Sequence, residues 1–205
     1  MPALSVSVDD NTLMTVSAND GYDMLHVSIH GSRIDEAFAT LNLSGGYYPD
    51  EGDSTYLTWI DQLPLQPGQT ITVSWQDQGT TNARGKTIDE LATDGSTGPA
   101  DPEKPPPLSE MVAALKKRPL LRGRYAFDFV APDGVAIAGQ TLHEEAWLTL
   151  SVIWHRLHRN DTARVSLHST TFDDLVERTP RHSHARCQLH LGESIRLQLG
   201  TLASP

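Results

Sequence analysis

Apolar and polar residues alternate with a period of two along most of this chain, which is the pattern of strands with one face in a core. Leu4, Val6 and Val8 alternate with Ser5 and Ser7. Asp9-Asp10-Asn11 reads as a turn, and Leu13, Met14 and Val16 return, so the first segment predicts a hairpin. Asn19-Asp20-Gly21 makes a second turn, after which Leu25, Val27 and Ile29 alternate with His26, Ser28 and His30. Further strands are predicted over 37–43, 55–60 and 70–75, broken by Gly45-Gly46 and by the turn Leu65-Gln66-Pro67-Gly68. The second half repeats this order. Tyr125, Phe127 and Phe129 alternate, Ala131-Pro132-Asp133-Gly134 turns, and strands follow over 135–138, 147–154, 163–168, 186–190 and 194–199.

Helical spacing is rare. Met111, Val112 and Leu115 share one helical face, with Ser109 as the expected N-cap, Lys116-Lys117-Arg118 at the end favoured by the helix dipole, and Pro119 as the stop. A weaker helix is predicted over 87–92.

Two patches recur in one register. Leu41-Asn42-Leu43-Ser44 and Leu65-Gln66-Pro67-Gly68 correspond to Val165-Ser166-Leu167-His168 and Leu189-His190-Leu191-Gly192, both at an offset of 124 residues. A common offset in two separate places predicts a duplicated β-rich unit. The expected fold is mainly β: tandem duplicated β-sandwich-like modules with one short helix between them. The expected organisation is an acidic β-sandwich module over 1–93, a Pro/Gly-rich linker over 94–107, and a helix plus a basic, His-rich β-sandwich module over 108–205.

Charge adds an asymmetry. The net charge is −10, yet residues 1–107 carry 16 Asp and Glu against 4 Lys and Arg, while residues 108–205 carry 10 against 12, with seven of the nine histidines. An acidic first half repels phosphates, which argues against nucleic acid as its partner and for a basic protein. Cys187 is the one cysteine, so no intramolecular disulfide forms, in keeping with a cytoplasmic, bacterial-style protein. No apolar run is long enough to span a membrane.

Candidate chemistry falls in two places. The first is the loop after Gly45-Gly46, where Tyr47, Tyr48, Asp50, Glu51, Asp53 and Tyr56 are followed by Trp59 and Asp61. Tyrosines supply rigid contact area, and carboxylates steer a basic partner. The three acids also cluster like calcium ligands, but without the rest of a twelve-residue calcium loop. The second place is Arg181-His182-Ser183-His184-Ala185-Arg186-Cys187. On a strand His182 and His184 share a face, as metal ligands would, but the flanking arginines and the lack of a nearby carboxylate in sequence favour a solvated basic hairpin, with no metal or other cofactor expected. Arg156, His158, Arg159, Arg164, Arg178, Arg181 and Arg186 extend a cationic patch suited to an acidic partner or to docking on the first module. Cys187, beside Arg186, is a weak nucleophile candidate.

No nucleophile elbow, phosphate loop or His-Glu-x-x-His motif is present, so the expectation is not an enzyme. The reading these features favour is a non-enzymatic protein-binding module, in its most concrete form an immunity-type protein that neutralises a basic toxin or effector through the acidic first module. A metal-binding or carbohydrate-binding protein using the His-rich second module or exposed aromatics, and a structural or assembly component, are the alternatives.

Overall fold

The computed structural model describes residues 2–48, 54–93, 106–157, 161–177 and 182–202. Six strands come from the first half: β1 (Ala3–Val8), β2 (Asn11–Ser17), β3 (Met24–Ser32), β4 (Ala39–Tyr47), β5 (Thr55–Leu65) and β6 (Thr70–Gln76). Helices α1 (Ile88–Thr93) and α2 (Leu108–Leu115) follow. The second half adds β7 (Tyr125–Val130), β8 (Ala136–Gln140), β9 (Glu145–His155), β10 (Thr162–Thr171), helix α3 (Phe172–Glu177), β11 (His182–His190) and β12 (Glu193–Thr201).

The chain is mainly β, with two six-stranded antiparallel sheets in a sandwich-like arrangement. Sheet 1 has the order β2-β1-β6-β12-β7-β8, and sheet 2 the order β11-β10-β9-β3-β4-β5. Each order is a palindrome when β1–β6 are exchanged for β7–β12. The halves therefore join twice, at β6–β12 in sheet 1 and at β3–β9 in sheet 2, where Ile71 faces Leu197 and Val27 faces Val152. Both sheets run without a break from one half into the other, and each half supplies three strands to each sheet.

The alternation read from the sequence is the burial pattern of the strands. Leu4, Val6, Val27, Ile29, Val73, Phe129, Leu150, Val152, Leu167 and Leu197 all lie in one core cluster drawn from both halves. Trp75 and Trp154, one from each half, pack with ring centroids 5.5 Å apart across the sandwich. Turn chemistry fits as well. Asp9 and Asp10 have φ of 50° and 63°, the left-handed pair that a two-residue hairpin turn requires. The Asp9 carboxylate then accepts the Thr70 amide at 2.9 Å, tying that turn to β6. Gly68 and Gly192, which correspond in the repeat, both have positive φ, 85° and 82°.

Two local expectations change, and one element is new. Helix α2 begins at Leu108 after Pro107, and no side chain caps it, so Ser109 is inside the first turn and is not the cap. Pro107 suits this place because the first helical amides have no partner within the helix. The stretch after β10 forms α3. It caps one end of the sandwich, where Phe172 meets Trp147 edge-on at 4.8 Å, and Lys116 after α2 pairs with Asp173. Strand β11 starts at His182, not at 186, so His182 and His184 lie within the strand.

At this same end, arginines grip the loop between β3 and β4. Arg122 donates to the carbonyls of Ser32, Asp35, Glu36 and Ala37, and Arg118 to that of Ile34 at 2.8 Å. Tyr125 is fully buried, and its hydroxyl donates to the Ser32 carbonyl at 3.0 Å and to that of Phe38.

Candidate functional site

Strands β9, β10 and β11 lie side by side, and two β-bulges shape their shared end. Leu167 faces Ala185 but His168 faces Ser183, which leaves His184 as an extra residue on β11. Thr170 faces Trp147 but Thr171 faces Glu145, which leaves Ala146 as an extra residue on β9. A bulge re-aims the side chains beyond it. Here Glu145, Ser169, His182 and His184 converge beside Phe127 of the opposite sheet, whose ring lies 4.8 Å from His184.

The Glu145 carboxylate is only 2% exposed. One oxygen meets His182 Nδ1 at 2.8 Å, and the other accepts the Leu142 amide at 2.5 Å. Its backbone carbonyl accepts the buried Arg33 guanidinium at 3.0 Å, which also donates to the His143 carbonyl at 2.7 Å. Arg33 is thus bonded to carbonyls in this corner and not to the carboxylate. The rings of His182 and His184 lie 4.4 Å apart, and His184 Nε2 hydrogen-bonds Ser169 Oγ at 2.8 Å. One ligand atom from each of Glu145, His182 and His184 falls within 4.8 Å of the others.

Burial pushes the His184 imidazole below its ordinary value, and neighbouring His182 pushes the same way, against the pull of Glu145. At neutral pH that imidazole keeps a lone pair. His182 is 46% exposed, so the cluster is sealed on the carboxylate side and open to solvent on one imidazole. An oxygen and two nitrogens with one open side suit a borderline divalent cation such as zinc. Ser169 and the Leu142 amide hold the outer atoms of the ligand groups, as supporting residues do around metal ligands. Ser169 itself has no exposed surface, so its pairing with His184 offers no nucleophile to a substrate.

Sequence reasoning placed His182 and His184 on one face, and the structure brings them together. It missed the carboxylate. Glu145 stands 37 residues away in the chain and reaches His182 across β10.

Tyr47, Tyr48 and Tyr56 are 44%, 39% and 40% exposed on the β4–β5 hairpin. Trp59 is half-buried, edge-on to Tyr22 at 5.0 Å, while Asp61 is exposed on β5. Asp50, Glu51 and Asp53 lie outside the described residues, as do His158, Arg159, Arg178, Arg181 and positions 94–105 of the predicted linker. Arg156 leaves the cationic patch to bind buried Asp23 of the first half at 2.7 Å, a direct ion pair between the halves, and the other Asp23 oxygen accepts the Tyr48 amide at 2.7 Å. Burial raises the Cys187 thiol above its ordinary value, and Asp133 and Glu193 add to that, so its arginine neighbour does not activate it. Among the described residues no helix is long and apolar enough to cross a membrane. Compared with known proteins, the chain matches no family model, no curated protein and no solved structure.

Proposed function

We propose that this protein binds a divalent transition metal, zinc foremost, through Glu145, His182 and His184. The observation that carries the reading is the convergence within 4.8 Å of a buried carboxylate from β9 and two imidazoles from β11, the strands on either side of β10. A carboxylate taken out of water needs compensation, and a bound cation supplies more of it than one imidazole does. The open side at His182 leaves a position for water or for a side chain of a partner.

Isothermal titration of zinc into metal-free protein tests this. The expected result is one site of about micromolar affinity or tighter, weakened at least ~100-fold in Glu145→Gln and in His184→Ala. Absence of saturable binding in the unaltered chain overturns the reading.

A second reading, recognition of a basic protein such as a toxin or effector, is favoured by the three exposed tyrosines of the β4–β5 hairpin beside the acidic segment 50–53. Capture from host lysate with wild type and with a Tyr47→Ser/Tyr56→Ser variant tests it: a basic partner lost with the tyrosines supports the reading, and a partner retained by both refutes it.

A further inference from the structure

A second feature lies on the outer face of sheet 2, away from the inward-facing histidine–glutamate cluster. The strands β9, β10 and β11 form the floor of a groove of about 650 Å³ there, lined by Ser151, Arg164, Ser166, His168, Arg186 and Gln188. The registers order these residues. Ser151 faces Ser166, which faces Arg186; Ile153 faces Arg164, which faces Gln188. Between them on β10, Val165 points into the core, as does Leu167 further on, so Arg164 and Ser166 stand on the outer face. Directly paired residues share a face, and diagonal neighbours stand about 7–8 Å apart, within reach of one small group for side chains as long as arginine.

Arg164 and Arg186 are such a diagonal pair. Neither has an ion-pair partner among the described residues, and no carboxylate is among the groove-lining residues. Two like charges held side by side in a concavity repel each other, and an anion between them relieves this. The guanidinium fork matches the oxygens of a phosphoryl group better than any other side chain. Around the pair are neutral hydrogen-bonding groups: Ser166, Gln188, and Ser151, whose hydroxyl is held by His26 Nε2 at 2.9 Å. Donors and acceptors of this kind suit hydroxyl groups. Ile153, facing Arg164, gives the floor an apolar spot that fits the carbon face of a sugar ring.

We propose that the groove binds a phosphate monoester carried on a small polyhydroxylated molecule, a sugar phosphate in chemical class. Arg164 and Arg186 hold the phosphoryl oxygens, and Ser151, Ser166 and Gln188 hold hydroxyls. This site is independent of the metal reading.

The test is titration of the full chain, followed by backbone amide NMR, with glucose 6-phosphate, inorganic phosphate and glucose as the three probes. Glucose 6-phosphate is expected to shift amides of β10 and β11 saturably below about 10 mM, with inorganic phosphate weaker and glucose without effect. Arg164→Ala/Arg186→Ala is expected to weaken the sugar phosphate at least ~10-fold with the fold intact. Arg164→Lys/Arg186→Lys, which keeps the charge without the fork, is expected to fall between. No saturable shift with either phosphate overturns the proposal, as does an alanine pair that binds like wild type. Equal binding of inorganic phosphate and glucose 6-phosphate overturns the sugar part and leaves an oxyanion site. Zinc affinity is expected to be the same in the alanine pair.

Discussion

Tyr125→Phe probes how the helix-capped end of the sandwich is held. The substitution keeps the ring, which packs on Phe38 at 5.3 Å, and removes only the hydroxyl. Tyr125 is fully buried, and its hydroxyl serves the carbonyls of Ser32 and Phe38, so no water replaces the lost donor. Leaving a buried acceptor without its donor costs about 1–3 kcal/mol. The two carbonyls shared one proton, and the Ser32 carbonyl keeps a second donor in Arg122, so the middle of that range, about 2 kcal/mol, is expected. For a chain of this size 1 kcal/mol lowers the melting temperature by about 2–4 °C, which puts the expected loss at ~4–8 °C. Urea unfolding followed by tryptophan fluorescence gives the free energy, and a thermal scan gives the temperature shift. A change below about 0.5 kcal/mol, inside the range of ordinary surface substitutions, refutes the claim that this hydroxyl anchors the β3–β4 loop to β7.

Because both sheets cross from one half to the other, residues 1–107 made alone are expected to lack a cooperative unfolding transition, since β3 and β6 lose the strands they pair with; a sharp transition contradicts the continuous sheets. Burial lowers the imidazoles of His26 and His30, in the latter case against Asp35, so protonation favours the unfolded chain; stability is full above about pH 6.5 and falls as pH drops through the lowered folded values. A His26→Gln/His30→Gln variant is expected to flatten that slope, measured by urea unfolding across the acid range, and an unchanged slope refutes the assignment. The Cys187 thiol is expected to react with an aromatic disulfide reagent at pH 8 more slowly than a free cysteine by about tenfold, and a faster reaction contradicts its burial.

The strands were legible because each half-buried face shows itself in a period of two, as in Leu25, Val27 and Ile29. The paired offset of Gly68 and Gly192 likewise marked equivalent turns. Alternation says which face of a strand is inward but not which strand lies beside it. Nothing in β3 or β6 alone announces that their neighbours are β9 and β12, so separate modules and continuous sheets looked alike. The histidine–glutamate cluster was half legible for a related reason. His182 and His184 are close in sequence and share a face, whereas Glu145 joins them only because bulges at Ala146 and His184 turn β9 and β11 at the same end. A bulge adds one residue to a strand and leaves no compositional trace. An arginine's role depends on its counter-charge: of the described members of the cationic patch, Arg156 pairs with Asp23 in the other half, while Arg164 and Arg186 share a groove with no carboxylate among its described lining residues.

The central claim, that Glu145, His182 and His184 form a metal centre, is tested most directly by zinc K-edge X-ray absorption on protein loaded with one equivalent and then desalted. The account predicts retained zinc with a low-coordinate nitrogen and oxygen shell at about 2.0–2.1 Å, two imidazoles in its outer scattering, and one imidazole fewer in His182→Ala. Zinc lost on desalting, or a six-oxygen shell without imidazole scattering, contradicts it.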